Sequence, residues 1–488
     1  MEKLSSAWDR LNSSFWFLPA LMTVGAVALF FGAQYLDQVS PTSLADLPVV
    51  FSGGASAARS VLESISGSLI TVIATAFSLT IVTFVLASGQ YTPRLLKSLT
   101  ADRGLQVVLG SYIATFVYSL LVLRIVRESD GEGDAFVPVI SVSLAVVLAL
   151  ACVGLLIYFI QHVTNLIQPS TIFQRIHDET MKPIAELDDL DASGVGRKGV
   201  EDRTAARGLP AGVPSVVRSR KVGYVQRLDV DAIVDAVAVG GETRVVEIPF
   251  GPGCFVASGL PVARVWPARK AGLGRDAADE AWGAFVFGKE RSSRHDFTFG
   301  LRQLTDIALA GLSPSFNDPT TAMQAMDRTE DILIALGTKA LPRRVQQREV
   351  GGGRVLVKIG YPGFEDVVEL AFDQAIRAAF ATGQVVFLRR VLEIVERALG
   401  ANDLPERRQS LWARAFDVGY LAPRQLPYER DAVTLVLRIV EVGAPLLGTE
   451  LSAAVGSDLE ELARVSEDLR GGERVRQAVD AAWEGLKR

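Results

Sequence analysis

Hydroxyl side chains recur along one apolar stretch of the chain at the spacing of successive helical turns. The stretch covers residues 64–86 and contains no Asp, Glu, Lys or Arg. Steps of three and four residues place side chains on one face of a helix. The pattern therefore predicts a membrane-crossing helix with a single hydroxyl face. The hydroxyl residues are Ser64, Ser68, Thr71, Thr75 and Ser78 within the stretch, and Ser60 one turn before it.

This hydroxyl face has two interpretations. Equivalent helices from several subunits can line a pore, because uncharged hydroxyls hydrate ions without trapping them. Alternatively, small residues let two helices pack closely, and Ser or Thr can bond the carbonyl four residues back. The direction in which the hydroxyls face decides between these interpretations.

Three basic residues, Arg94, Lys97 and Arg103, follow the hydroxyl-bearing segment. They could form a cytoplasmic rim that attracts anions. The simpler explanation is the excess of Lys and Arg found in cytoplasmic loops. The preceding loop has one basic residue, Arg59, and the following loop is acidic at its centre. We therefore expect the basic loop and both termini to lie in the cytoplasm.

A polar loop, Ser313-Pro-Ser-Phe-Asn-Asp318, lies between two predicted helices in the second half of the chain. Its candidate ligand-binding residues are Ser313, Ser315, Asn317 and Asp318, beside a helix N-terminus that can hold an anion. The alternative is a helix–helix turn in which Asp318 is the N-cap and Pro319 the first helical residue.

Several kinds of chemistry find no support in the sequence. The three histidines lack a Cys, His or Glu partner at metal-ligand spacing, so we expect no metal site. No nucleophile elbow or phosphate-binding loop is present, and we predict neither an enzyme nor a cofactor. A net charge of −5 gives no indication of nucleic-acid binding. Apolar segments without ionisable groups argue against a proton-coupled pump or a voltage sensor.

The elements around these residues indicate a membrane protein. Hydrophobic residues make up 49% of the chain, and the first third is poor in charge. A membrane span needs roughly 20 apolar helical residues. Four segments of the sequence satisfy this condition, at about 15–35, 64–86, 107–126 and 136–160. The second has no proline between residues 55 and 91, so its helix can extend beyond the membrane.

We predict a polytopic α-helical membrane protein with four transmembrane helices and a C-terminal cytosolic α+β region. Alternating apolar residues and turn glycines between residues 221 and 267 favour a small β-barrel-like module. The expected organisation is a tail (1–14), a transmembrane domain (15–167), a connecting helix and linker (168–220), the β module (221–267) and a mostly helical domain (268–488).

Three blocks of the sequence resemble domain-of-unknown-function family 2254, a family of predicted bacterial membrane proteins. They are Ala87–Lys97 with Gly110–Arg127, Gly223–Asp229 with Pro252–Val256, and Phe299–Ala322. The resemblance implies a protein of the bacterial inner membrane and implies no activity.

The leading functional hypothesis is an oligomeric channel-like pore lined by the second helix and gated or assembled by the cytosolic region. Its partners would be the lipid bilayer, copies of the same chain and inorganic ions. The alternative hypothesis is a non-conducting membrane scaffold or sensor whose cytosolic region binds a partner or ligand.

Overall fold

The computed structural model divides the chain into two compact units, Met1–Ile172 and Phe173–Arg488. The structure describes residues 15–39, 51–90, 102–127, 136–166, 168–190, 209–238, 243–267, 273–342, 344–350 and 352–486.

Four long helices form the N-terminal unit: α1 (Phe17–Val39), α2 (Ala55–Gln90), α3 (Arg103–Ile125) and α4 (Val139–Leu166). Each is long and apolar enough to cross a membrane, which confirms the prediction of four helices of membrane-spanning length and composition. α2 is 36 residues long. At 1.5 Å per residue it measures about 54 Å, well beyond a hydrocarbon core of about 30 Å.

α3 is the central helix of the N-terminal unit and packs against α1, α2 and α4. Tyr112 and Tyr118 are fully buried within it. Gly110 lets α1 approach closely, since a Cβ at this position would lie 2.7 Å from Sδ of Met22. The small residue thus sets the distance between α1 and α3.

Two carboxylates cap helices of the N-terminal unit. Oδ1 of Asp37, near the end of α1, accepts a hydrogen bond of 2.7 Å from the N–H of Ile140, while Oδ2 accepts bonds from the N–H and hydroxyl of Ser141. Asp102 caps α3 and contacts Nε2 of His162 in α4 at 2.7 Å. Negative charge at a helix N-terminus is favourable, so both contacts stabilise the bundle.

The C-terminal unit combines two sheets with helices. Its elements are α5 (Pro169–Ala185), β1 (Ser215–Arg218), β2 (Gly223–Leu228), α6 (Val230–Val237), β3 (Arg244–Ile248), β4 (Phe255–Val256), β5 (Pro261–Trp266), α7 (Arg275–Gly283), β6 (Phe285–Gly288), α8 (Phe297–Leu312), α9 (Pro319–Gly337), β7 (Val345–Val350), β8 (Gly353–Ile359), α10 (Phe364–Ala381), α11 (Val385–Gly400), α12 (Pro405–Gln425), α13 (Glu429–Gly443), α14 (Ser452–Ser466) and α15 (Gly472–Leu486).

The predicted small barrel is wrong. The described strands form two open sheets, in the orders β1-β5-β3-β8-β7 and β4-β2-β6. Strands from the expected module, residues 221–267, are divided between both sheets, and β6, β7 and β8 come from later in the chain. β3 pairs in parallel with β8, so Arg244 lies opposite Val355. Alternation of apolar residues identifies a strand but does not encode such a distant partner.

α10 to α15 form a helical array, in which each helix packs against the next and the next but one. Apolar residues at helical spacing are buried along these helices, as in α11 with Phe387, Val391 and Val395. This arrangement agrees with the helical periodicity expected for the end of the chain.

Gly253 occupies a position in the turn before β4 that excludes any side chain. Its φ is +88°, and a Cβ there would overlap the carboxylate of Asp296. That carboxylate is buried and accepts hydrogen bonds of 2.9 and 2.7 Å from Nε and Nη2 of Arg291. Gly259 has a similar φ of +85°, but nothing lies within 4 Å of its Cβ position.

Alanine variants at these two glycines distinguish the cost of backbone strain from the cost of side-chain overlap. We expect Gly259→Ala to lower the free energy of unfolding by about 1–2 kcal/mol, the strain of a left-handed alanine. Gly253→Ala should lose about 1–3 kcal/mol more, because it also displaces the Arg291–Asp296 pair. Chemical denaturation of the full chain in detergent measures both values, and equal losses would contradict the overlap.

Candidate functional site

α2 buries only one of its faces against its own chain. The buried apolar side chains are Ala58, Leu62, Leu69, Ala76 and Phe84. At 100° per residue these positions fall within an arc of about 80° on the helix surface. The opposite side of α2 is therefore left uncovered by the other helices of the chain.

The six predicted hydroxyl positions all lie on the uncovered side of α2. Ser60, Ser64, Ser68, Thr71, Thr75 and Ser78 are all exposed. They fall within a second arc of about 80°, centred about 160° from the buried one. We call these six residues the hydroxyl face. Within one chain, the hydroxyl face does not lie in a seam between helices.

Between residues 64 and 86 the remaining exposed surface of α2 is apolar, whereas the charged residues Arg59 and Glu63 are exposed nearer its start. Ile70, Phe77, Ile81 and Val85 are exposed and lie beside the hydroxyl face. This apolar ridge has the composition expected for contact with lipid tails. The uncovered side of α2 thus has one polar half and one apolar half.

The hydroxyls of this face differ in their hydrogen bonding. Thr71 donates to the carbonyl of Gly67 at 3.2 Å, and Thr75 donates to the carbonyl of Thr71 at 2.9 Å. Ser64 and Ser68 have no hydrogen-bond partner among the residues that the structure describes. The threonine oxygens can still accept bonds, and the serines can both donate and accept.

The predicted basic rim falls largely outside the described residues, which exclude Arg94 and Lys97. Arg103 is the first residue of α3 and is exposed. Its neighbour Asp102 accepts a bond from the N–H of Leu105 and caps the helix.

The predicted polar loop connects α8 to α9. Asp318 is the N-cap of α9 and accepts hydrogen bonds from the N–H and hydroxyl of Thr321, at 3.1 and 2.6 Å. Ser313 donates to the carbonyl of Ala310 and lies 3.2 Å from the hydroxyl of Ser315. Asn317, with a φ of 45°, accepts a bond of 2.9 Å from Gln384. The polar atoms of the loop thus bond mainly to the turn and its neighbours.

His162 and His177 each contact a carboxylate side chain. His177 contacts Oδ2 of Asp331 at 2.6 Å. Burial lowers the pKa of His295, with help from the positive charge of Arg294. Across the described ranges, no group of three or more His, Cys, Asp or Glu side chains could hold a metal ion.

The family assignment rests on sequence similarity along most of the chain. The profile of a family described as "Predicted membrane protein (DUF2254)" matches residues 12–397. The chain belongs to the DUF2254 family. Its four apolar helices agree with that description.

Relatives of this DUF2254 protein occur in mycobacteria. An uncharacterized protein of Mycobacterium tuberculosis (strain H37Rv) is 30% identical over 454 residues, covering 92% of this chain and 82% of the relative. An uncharacterized protein of Mycobacterium bovis has the same identity and coverage. No solved structure matches the chain significantly.

A cleft beside β8 is not among the sites predicted from the sequence of this DUF2254 protein. Its signal is the sequence Gly360-Tyr-Pro-Gly363, which follows a strand and precedes a helix. The glycine run at residues 351–353 is the more conspicuous one, although it precedes the strand. Glycines in a strand–loop–helix connection are the arrangement that can bring backbone N–H groups to an anion.

The Asp318 cap supplies a test of the polar loop. Hydrogen bonds from the side chain and N–H of Thr321 lower the pKa of Asp318. Its contribution to stability is therefore present above the unfolded pKa of about 3.9 and is lost as the pH falls through the lower folded value. We expect Asp318→Ala to lower the free energy of unfolding by about 1 kcal/mol at neutral pH.

Asp318→Asn is the matched variant, because an asparagine side chain also caps a helix but does not titrate in this range. Denaturation as a function of pH measures the difference in stability between the unaltered protein and the Asp318→Asn variant, which should shrink as the solution becomes acidic. If Asp318→Ala does not lower the free energy of unfolding at neutral pH, the cap does not stabilise α9.

Proposed function

We propose that this protein forms a homo-oligomer in the membrane through α2, and that the hydroxyl faces of several copies line a neutral polar path. One observation carries the proposal. All six hydroxyl side chains are exposed on one side of a helix apolar enough to span the membrane. The four helices of a single chain leave this polar surface uncovered.

Contact of the serine hydroxyls with lipid tails is unfavourable. A hydroxyl in apolar surroundings without a hydrogen bond costs roughly 1–3 kcal/mol in mutational data. Ser64 and Ser68 have no such bond among the described residues. Water in a path, or a second copy of α2, removes this cost, whereas lipid tails do not.

The length of the face also supports a path. Residues 64 to 78 span about 21 Å of helix, against a hydrocarbon core of about 30 Å. Val82 and Leu86 continue the same side of α2 and are exposed. The polar lining therefore gives way to an apolar one near the end of α2, and apolar constrictions can gate a pore by excluding water.

The proposed orientation follows from the loop charges. The basic loop after α2 lies in the cytoplasm, together with both termini, and the protein resides in the bacterial inner membrane. The path then opens towards the outside at Ser64 and narrows towards the cytoplasm at Leu86.

A non-conducting scaffold or sensor is the second candidate function. The bonds of Thr71 and Thr75 to their own helix carbonyls favour it, because such bonds make a hydroxyl compatible with a dry contact between helices. Both functions use an α2–α2 contact and differ in whether water fills it.

Disulfide cross-linking tests the contact between copies. In a background with Cys152→Ala and Cys254→Ser, we expect Ser68→Cys and Thr75→Cys to form disulfide-linked dimers in membranes under mild oxidation. Ile70→Cys and Phe77→Cys are the matched controls, since they lie at similar depths on the apolar ridge. Two outcomes would contradict assembly through the hydroxyl face. One is equal cross-linking at all four positions, and the other is no cross-linking at either hydroxyl position.

Solute flux tests the polar path. We expect purified protein in liposomes to conduct small inorganic ions, and the double variant Thr71→Val with Thr75→Val to reduce the flux at least several-fold while still cross-linking at Ser68→Cys. Thr80→Val with Thr83→Val is the control, because it removes two hydroxyls from the buried side of α2. Cross-linking without any ion flux would favour the scaffold.

A further inference from the structure

A cleft of about 630 Å³ lies in the C-terminal unit, where the loops after β3 and β8 meet. β3 and β8 are parallel, so both loops leave the sheet at the same edge. The N–H of Gly360 donates a hydrogen bond of 2.8 Å to the carbonyl of Ile248. A Cβ on Gly251 would lie 2.8 Å from the carbonyl oxygen of Gly360. Ligands of α/β proteins commonly bind at this edge of parallel strands.

Three cationic side chains from separate segments line the cleft: Arg291, Arg344 and Lys358. Arg291 precedes α8, Arg344 precedes β7, and Lys358 belongs to β8. Asp366 is the one carboxylate among the described lining residues. The lining therefore carries an excess of positive charge.

Arg291 is held in place from beneath the cleft. Its Nε and Nη2 donate to the buried carboxylate of Asp296, and Nη2 also donates to the hydroxyl of Thr298 at 2.8 Å. Its guanidinium lies 5.3 Å from the ring centroid of Phe299. Asp296 offsets the charge of Arg291, but the contacts leave Nη1 without a partner among the described residues. A rigid guanidinium with an unused donor is suited to an oxyanion.

The ammonium group of Lys358 has no hydrogen bond or ion pair within the described part of the chain. Its neighbour across the parallel ladder, Glu247, bonds Nη1 of Arg264 at 2.6 Å instead. Removing part of an ammonium group from water is unfavourable unless a partner replaces the lost hydration. An anion in the cleft would supply the missing partner.

The N-terminus of α10 completes the cleft, since Pro362 and Asp366 line it. The first N–H groups of a helix have no carbonyl partner within the helix and carry a partial positive charge. The carboxylate of Asp366 accepts bonds from Arg344 and from the N–H of Gly363. Asp366 thus reduces the positive charge near Arg344 and the start of α10, but it forms no hydrogen bond with Lys358 or Arg291.

Two further titratable side chains line the cleft, Cys254 and Tyr361. Burial raises the pKa of both side chains, so the thiol and the phenol are neutral at physiological pH. The charge of the cleft is therefore set by its arginines, its lysine and Asp366. A volume of about 630 Å³ lies within the range of small-molecule sites and exceeds what a single inorganic phosphate needs.

We propose that this cleft binds a phosphorylated small molecule of nucleotide size, with Lys358, Arg291 and the start of α10 contacting the phosphate groups. Guanidinium groups and helix N-termini both match phosphate oxygens. The ring of Tyr361 borders the remaining space, where the organic part of the ligand would lie.

Ligand-dependent unfolding of the full chain in detergent tests this site. The probes are pyrophosphate, ADP and ATP, with adenosine and citrate as controls for the base and for negative charge alone. We expect at least one phosphate probe to raise the unfolding temperature in a saturable manner and adenosine to have no effect. Lys358→Gln should weaken that binding by about tenfold or more, as expected for a lost charged contact.

Lys221→Gln is the matched control, because it removes one positive charge from an exposed position outside the cleft lining. It should bind the phosphate probes as the unaltered protein does. Arg344→Gln is a second cleft variant and should also weaken binding, which keeps the test decisive if Lys358→Gln unfolds. The proposal is overturned if no phosphate probe binds at millimolar concentration, if citrate alone binds, or if every properly folded cleft variant retains full affinity.

Discussion

The parallel ladder between β3 and β8 is the interaction on which the C-terminal unit depends. It joins five consecutive residue pairs, from Arg244 with Val355 to Ile248 with Ile359. Bringing β3 and β8 together closes a loop of the chain between residues 248 and 355, and this closure costs conformational entropy that grows slowly with loop length. Burial of Val246, Val357 and other apolar residues of these strands offsets that cost. Because both strands run in the same direction, their following loops and the N-terminus of α10 come together at one edge.

The N-terminal unit is organised by a different constraint. In hydrocarbon, backbone polar groups must bond within the chain, and helices satisfy this requirement locally. Association of the helices then depends on close packing and on a few polar contacts. α3 supplies the packing at Gly110, and Asp37 supplies contacts at the start of α4. The hydroxyl face of α2 takes no part in this packing, which is why it is available to other copies or to water.

Local properties of the sequence were sufficient for the helices but not for the sheets or the cleft. Length and hydropathy predict four spans, and Asp318 with Pro319 predicts the start of α9, because each signal lies within one element. Helical period also shows that the hydroxyls share a face, yet it does not show which neighbour covers that face. The cleft is lined by Arg291 and Lys358, which are distant in the sequence. The pairing of β3 with β8 forms the sheet edge at which the cleft lies, and no local signal in the sequence encodes that pairing.

The length of α2 makes bilayer thickness a variable in the energetics of this protein. Its stretch without charged residues, 64–86, contains no proline and is about 35 Å long, more than a hydrocarbon core of about 30 Å. Such a helix tilts or protrudes, and each ångström of mismatch costs a fraction of a kcal/mol. A thicker bilayer favours an upright helix, and a thinner one favours a tilted helix. Acyl-chain length therefore determines how much of the surface of α2 is in contact with hydrocarbon.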